Sequence, residues 1–336
     1  MERLETAFIH GAVREGYTDK KGAVNVPMYL SSTFHQESID EFGEYDYSRS
    51  GNPTRAALEK MIAELEGGDR GFAFATGMAS VSACLMLLSA GDHIVITEDV
   101  YGGSYRFVTK ILPRLGITHT FVDFTDIDAV EAAITPATKL LFMETPSNPT
   151  LKITDIAAVT ATPALSEQLY FIQNSFGNVL GVQDCYTLIQ NMKTTAVRFN
   201  HSSQVAAKIA QFLNDHPLVE KVYYPGLPSH PGRQTHFEQS TSGGAVLSFQ
   251  LPNYEITKKF VAAMKIPVFA VSLGGVESIL SYPAKMSHAA MEPAEREKRG
   301  ITDGLLRFSV GLEHEDDLLA DFEQALYQAS LENLNV

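Results

Sequence analysis

Residues 93–145, HIVITEDVYGGSYRFVTKILPRLGITHTFVDFTDIDAVEAAITPATKLLFMET, alternate between two periods. HIVIT (93–97), THTFVDF (118–124) and KLLFMET (139–145) are short runs rich in apolar, β-branched and aromatic residues, which predicts strands. GSYRFVTKILPRLG (103–116) and DIDAVEAAI (126–134) carry helical spacing. Strands and helices in turn, joined by short loops, predict a parallel sheet covered by helices, an α/β architecture. Ligands in such folds bind where strand ends meet helix starts.

Working outward, RAALEKMIAELEGG reads as an amphipathic helix, opened by Pro53 and closed by Gly67 and Gly68. GFAFA (71–75) reads as a fourth strand and GMASVSACLMLLSAG (77–91) as a buried helix. Residues 1–52 are irregular and rich in Gly, Ser and Tyr, an arm that should pack on something, such as another subunit. Downstream, the alternation stops after TDIAAVTA (154–161). TPALSEQLYFIQNSFG follows at once, then helical stretches 180–193 and 195–215, with no strand between. From 217 the pattern is α+β: strands at KVYYPG, AVLSFQL and LLRFSVGL, helices at 254–264 and 315–329. The expected organisation is an arm over 1–52, an α/β domain over 53–216 and an α+β domain over 217–336.

The chain has 336 residues and ordinary globular composition, 45% hydrophobic and 20% charged. Its net charge of −14 argues against nucleic acid as the main partner but leaves room for a small anion held by local basic groups. The two cysteines, Cys84 and Cys185, have no metal-site spacing, and Cys84 in VSACLMLLSA reads as a buried structural thiol. No metal is expected. The N-terminus has no apolar signal region and no apolar run is long enough for a membrane span, so a cytoplasmic protein is the expectation.

Five segments carry candidate chemistry. ATGMAS (75–80) is a strand–glycine–helix turn whose backbone N–H groups suit a phosphate, though such turns are common. YDYSRSGNPTR (45–55) crowds tyrosines and arginines into an acidic chain, a phosphate clamp or an ordinary surface loop. In EDVYGGSYR (98–106), Tyr101 falls at a strand end, where it stacks on a flat ring or packs in the core. In METPSNPT (143–150), Glu144 ends the strand and Asn148 lies between Pro146 and Pro149, a rigidly held polar group or a satisfied turn. In VSLGGVES (271–278) with LLRFSVGLE (305–313), Arg307 is a charge in an apolar strand, so it pairs internally or binds an anion such as a carboxylate.

Together and in this order, these segments resemble the Cys/Met-metabolism family of pyridoxal-phosphate enzymes. AVNVPMYLSSTF, YSRSGNPTR, QNSFGNVLGVQD (173–184), YPAKMSHAAM (282–291) and LRFSVGLE carry the resemblance, which runs from TAFIHGAV to the final helix. It implies the aspartate-aminotransferase-like fold type I, with a parallel-sheet large domain and an α+β C-terminal domain. It implies pyridoxal 5'-phosphate as cofactor and a homotetramer built from dimers that share active sites. Tyr47 and Arg49 would bind the cofactor phosphate of a neighbouring subunit, and Gly77 and Met78 would offer N–H groups to that of their own. Tyr101 would stack on the ring and handle protons. Asn148 would sit near the ring oxygen and the substrate. Arg307, with Ser272, would hold the substrate α-carboxylate, and Glu144 would stand in the site wall.

The family also needs a lysine that carries the cofactor covalently and an acid opposite the ring nitrogen. These sit on a V-D-N-T-F strand end and an S-A-T-K-Y segment, and neither string occurs here. The chain passes directly from Ala161 to Thr162 where roughly 40 residues, a little more than one βα unit, are expected. Lys139, Lys152 and Lys193 read as solvated side chains, not substitutes. Either a segment is missing from the sequence as written, or the protein carries the deletion. Losing central strands would cost more than a domain's whole stability of roughly 5–15 kcal/mol. The favoured first reading therefore expects Ala161 and Thr162 much farther apart than the roughly 3.8 Å of bonded neighbours, in a form without the cofactor.

The activity implied is a carbon–sulfur lyase on small sulfur amino acids, most similar in pattern to bacterial cystathionine γ-lyases. That enzyme converts cystathionine to cysteine, 2-oxobutanoate and ammonia by α,γ-elimination. Gly103 stands where methionine γ-lyases commonly carry cysteine, which disfavours that member; Val271 stands where many cystathionine γ-lyases carry glutamate, so β-elimination also stays open. Cystathionine γ-synthase and cystathionine β-lyase share the pattern. A deleted, inactive scaffold subunit is the non-enzyme alternative. A Rossmann-type oxidoreductase is disfavoured, because no G-x-G-x-x-G follows a strand.

Overall fold

The computed structural model describes residues 3–13, 22–154, 163–289 and 291–331. The junction of Ala161 and Thr162 lies outside the described residues. The chain forms two compact units, Met1–Ser89 with Ala158–Val197, and Ala90–Ala157 with Arg198–Val336.

The first unit is built on helix Pro53–Glu66. Asn52 caps it by accepting from the N–H groups of Thr54 (3.0 Å) and Arg55 (3.4 Å), Pro53 opens it, and Gly67 closes it in the left-handed region at φ 65°. Thr54, Ala57, Leu58 and Met61 are its buried stripe, and the last three share an apolar cluster with Cys185 and Ile189 of helix Val182–Met192. Residues 22–52 are largely irregular, as expected, but are tied down. Thr54 Oγ1 accepts from Tyr29 N–H (3.0 Å) and donates to the Pro27 carbonyl (2.8 Å). A short helix, Leu4–His10, was not expected.

GFAFA does not become a fourth sheet strand. Its backbone groups are taken up locally, in a lone antiparallel bridge between Phe74 and Val179. Ala75 N–H donates to the Asn178 carbonyl and Leu180 N–H to that of Ala73, both at 3.0 Å. Glu59 Oε1 accepts from Ala73 N–H at 2.9 Å. The helix predicted over 77–91 stops earlier, at Gly77–Leu85, where the bonds tighten to three-residue turns at Leu87 and Leu88. Cys84 is only half-buried, whereas Cys185 is fully buried; both are free.

The second unit holds two sheets. The first is parallel, with β1 (His93–Thr97) between β2 (Thr118–Val122) and β3 (Thr138–Phe142). All five β1 residues are buried, as a central parallel strand requires. His93 clamps the three strands through Thr138 Oγ1 (2.8 Å) and Thr120 Oγ1 (3.0 Å). The second sheet comprises β4 (Lys221–Tyr223), β5 (Val246–Gln250), β6 (Val268–Phe269), β7 (Ile279–Ser281) and β8 (Leu305–Ser309). Its order is β4-β5-β8-β7-β6, antiparallel except for β6 on β7.

β8 alternates between two environments. Leu306 and Phe308, with Val310 just past the strand, join an apolar core with Ile209 and Leu213 of helix Thr195–Asp215, Phe260 of helix Tyr254–Ala263 and Phe322 of helix Glu315–Ser330. Arg307 and Ser309 take the opposite face, where Arg307 lies in register with Ser248 of β5 and Ser281 of β7. No helix among the described residues is long and apolar enough to cross a membrane.

Candidate active site

In the second unit, the loops that follow β1 and β3 are tied together by Asp99. It is 2% exposed, and its Oδ2 accepts from Ser147 Oγ (2.5 Å) and from Thr150 Oγ1. Ser147 Oγ in turn accepts from Lys152 N–H at 3.1 Å. Ser248 Oγ donates to the Pro149 carbonyl at 2.7 Å, so the second sheet holds the loop from its other side. Asn148 is thereby fixed with its Oδ1 on Arg307.

Arg307 is 5% exposed. Its Nη1 donates to Asn148 Oδ1 (2.9 Å), and its Nη2 to the Ser272 carbonyl (2.6 Å) and Ser281 Oγ (3.2 Å). Ser272 turns its carbonyl to the guanidinium from the left-handed region, at φ 90°. Among the described residues Arg307 makes no ion pair, and its Nε has no hydrogen-bond partner. Burial pushes its pKa down. A buried cation with no counter-charge is expensive to keep, and a carboxylate would repair that.

Tyr101 stands 44% exposed, not packed in the core. Its backbone N–H donates to both oxygens of Glu144 at 3.2 Å, so β1 and β3 are joined again at this level. A Cβ on Gly102 would collide with the Ser287 carbonyl oxygen, so the glycine lets residues 287–288 lie against the start of helix Gly102–Lys110. This brings in His288, 2% exposed, whose Nδ1 meets Ser287 Oγ at 2.8 Å and whose Nε2 has no partner. Burial lowers its pKa to about 4; Asp99 pulls against this, while Arg299, Arg307 and Arg296 add to it. His288 is therefore neutral near pH 7. Sequence reading singled out neither Asp99 nor His288, although both lie inside quoted motifs.

Glu144 has its pKa raised, first by burial, with the Tyr101 N–H opposing and Asp99 adding to it. A raised carboxyl contributes stability that is complete below its unfolded pKa and is lost as pH rises through the folded one. Glu144→Gln, neutral throughout, is expected to melt higher than the parent at neutral pH. The gap should close as pH falls below the usual glutamate range. Parallel melting curves with equal gaps at both pH values would refute this.

In the first unit, Thr76 caps helix Gly77–Leu85 by accepting from Ala79 N–H at 3.1 Å. Gly77 and Met78 fill its first two positions, and a Cβ on Gly77 would meet nothing within 4 Å. The guanidinium of Arg49 lies 5.7 Å from the Tyr47 ring centroid and donates from Nη1 to the carbonyl (2.6 Å) and Oδ1 (2.8 Å) of Asn174. Each unit thus gathers its own share of the expected site residues.

In the first unit, the N–H groups at a helix start suit a phosphate such as that of pyridoxal phosphate; in the second, an exposed tyrosine ring and a guanidinium with no ion pair among the described residues suit a flat ring and a carboxylate. Lys152 and Lys193, both engaged elsewhere, do not suit the covalent anchor. Lys152 is not a solvated side chain, as its sequence suggested. It pairs with Asp123 (2.7 Å) and Glu98 (3.2 Å). Burial alone would lower its pKa, but these two carboxylates raise it, the opposite of what a nucleophilic amine needs. Lys193 Nζ donates to Asn25 Oδ1 at 2.7 Å, and Lys139 is exposed.

The chain is similar to known proteins over nearly its whole length. The chain is 53% identical to cystathionine beta-lyase MetC of Bacillus subtilis (strain 168), over 96% of either chain, and 41% identical to the cystathionine gamma-lyase of that organism, over 96% of this chain and 99% of the relative. The crystal structure of cystathionine gamma-lyase from Lactobacillus plantarum complexed with L-serine superposes with a TM-score of 0.93 at 40% identity, covering 98% of this chain and 99% of that one. The first of these alignments runs over 377 positions, more than the chain's 336 residues, so positions of the relative have no counterpart here. The family model described as Cys/Met metabolism PLP-dependent enzyme matches twice, over residues 5–163 and 158–327. With this coverage and identity, and with the family's motifs in order on both units, the chain belongs to the Cys/Met metabolism PLP-dependent enzymes.

Proposed function

We propose that this site, when complete, cleaves a carbon–sulfur bond of cystathionine, and that the 336-residue chain lacks the segment bearing the cofactor's lysine and acidic partner. The observation that carries the first part is Arg307, a buried guanidinium with no ion pair among the described residues, braced by Asn148. Pyridoxal phosphate, when bound, supplies an electron sink for the bond broken at Cα. Arg307 receives the substrate α-carboxylate, with the Ser272 backbone holding the guanidinium in place. Tyr101 stacks on the ring and moves protons at its hydroxyl, and Glu144 fixes the Tyr101 backbone. Gly77 and Met78 take the cofactor phosphate, with Tyr47 and Arg49 contributed by a neighbouring subunit of a homotetramer in the cytoplasm.

Between the two cleavages, Val271 in place of a carboxylate and the 53% identity to a β-lyase favour α,β-elimination, which converts cystathionine and water to homocysteine, pyruvate and ammonia. The 41% relative supports the α,γ reading, which gives cysteine, 2-oxobutanoate and ammonia. The test is to insert a relative's lysine-bearing segment between Ala161 and Thr162. The 336-residue chain should show no cofactor adduct by mass after borohydride reduction. The extended chain should show one, and should release pyruvate in excess over 2-oxobutanoate. An adduct and turnover in the unextended chain would overturn the missing-anchor reading. An adduct without turnover in the extended chain would favour a scaffold.

A further inference from the structure

A second concavity of about 730 Å³ opens in the second unit, with none of Tyr101, Glu144, Asn148, Ser272 or Arg307 on its wall. That volume is in the range of small-molecule sites, roughly 300–1,000 Å³. Phe124, Ile153 and Val222 give it an apolar floor, and the hydroxyls of Thr125, Ser229 and Thr235 stand among them.

Its charges are lopsided. Four cationic side chains line it against one carboxylate, Glu220, in a protein of net charge −14. Two of the four are engaged: Lys152 with Asp123 and Glu98, and Arg299 with Glu295 and the Glu98 carbonyl. Lys221 and Lys298 make no ion pair among the described residues; Lys221 lies 4.5 Å from the Tyr223 ring centroid. The Arg299 side chain is 8% exposed and its buried Nε has no hydrogen-bond partner, so even this engaged guanidinium keeps a donor unused. Glu220 is partly satisfied by the Gln250 amide at 2.9 Å.

We infer that this cavity is a binding site for a small organic anion, with its apolar body on Phe124 and Val222 and its charge toward Lys221, Lys298 and Arg299. The Lys221 and Lys298 ammonium groups, without an ion pair among the described residues, suit a dianion such as a phosphate monoester. An occupant would also touch Thr150, whose hydroxyl holds Asp99, and so the loop that carries Asn148.

Phenyl phosphate is the probe, titrated calorimetrically into the 336-residue chain. Saturable binding is expected, weakening with added salt as screening demands. Lys221→Glu with Lys298→Glu should weaken it by at least about tenfold. Both side chains are exposed, so the double variant should melt with the parent. If it does not, Lys221→Met with Lys298→Met, which keeps the apolar stems, serves in its place. Arg49→Ala and Arg307→Met, which remove the guanidinium groups of the other candidate anion sites, should leave the titration unchanged. No binding, binding indifferent to both lysine pairs, or binding lost in Arg49→Ala or Arg307→Met would each overturn the inference.

Discussion

Phe322→Ala should destabilise the second unit by about 3–5 kcal/mol, the usual range for a fully buried phenylalanine. Phe322 has no exposed surface and sits at the centre of an aromatic group. Its ring lies 4.9 Å from that of Phe308, 5.8 Å from Phe260 and 6.0 Å from Phe249. Such pairs add about 0.5–1.5 kcal/mol each beyond the area they bury. Helices Tyr254–Ala263 and Glu315–Ser330 and strands β5 and β8 all meet there, so the vacated space cannot collapse by moving one element. Phe308 is also the neighbour of Arg307 on β8, and loosening the core face should loosen the polar face. A urea titration reads the result as a fall in midpoint; a loss below about 1 kcal/mol would mean the core repacks around the gap.

The fold was legible where one period ran long enough. Helix Thr195–Asp215 follows from its sequence because Val205, Ile209 and Leu213, with Ala206 and Ala210, repeat at helical spacing over several turns. Helix Pro53–Glu66 was legible at both ends, because Pro53 and Gly67 have one role each there. GFAFA failed because five apolar residues carry no period that separates a sheet strand from a buried extended segment. What decides its state is Asn178 and Leu180, about a hundred residues downstream, which take its backbone groups.

The site was legible in kind and not in its connections. Arg307 stands out as a charge in an apolar run, and strand alternation explains how it can be there, on the face opposite Leu306 and Phe308. Tyr101, Glu144 and Asn148 were marked by their place just past strand ends. Asp99 escaped notice because an acidic residue after a strand is unremarkable in sequence. Its importance comes from Ser147 and Thr150, 48 and 51 residues away, and only folding brings them to one carboxylate.

Arg307→Met should separate function from stability. Removing a buried, hydrogen-bonded charge that meets an opposite one usually lowers affinity by about 2–5 kcal/mol, or roughly 30- to 4,000-fold. That loss is expected in kcat/KM for cystathionine in the chain extended with the lysine-bearing segment. The effect on stability should stay within about 1 kcal/mol, because two terms oppose. The variant strips Asn148, the Ser272 carbonyl and Ser281 of a donor. It also relieves the protein of a guanidinium that burial already disfavours and that no carboxylate among the described residues offsets. Arg307→Lys keeps the charge but loses the planar fork that spans Asn148 and Ser272, so it too should lose most of the activity. An unchanged kcat/KM in Arg307→Met would reduce the guanidinium to a brace for the loop. A large loss of stability in Arg307→Met would show that its three hydrogen bonds outweigh the strain of its burial.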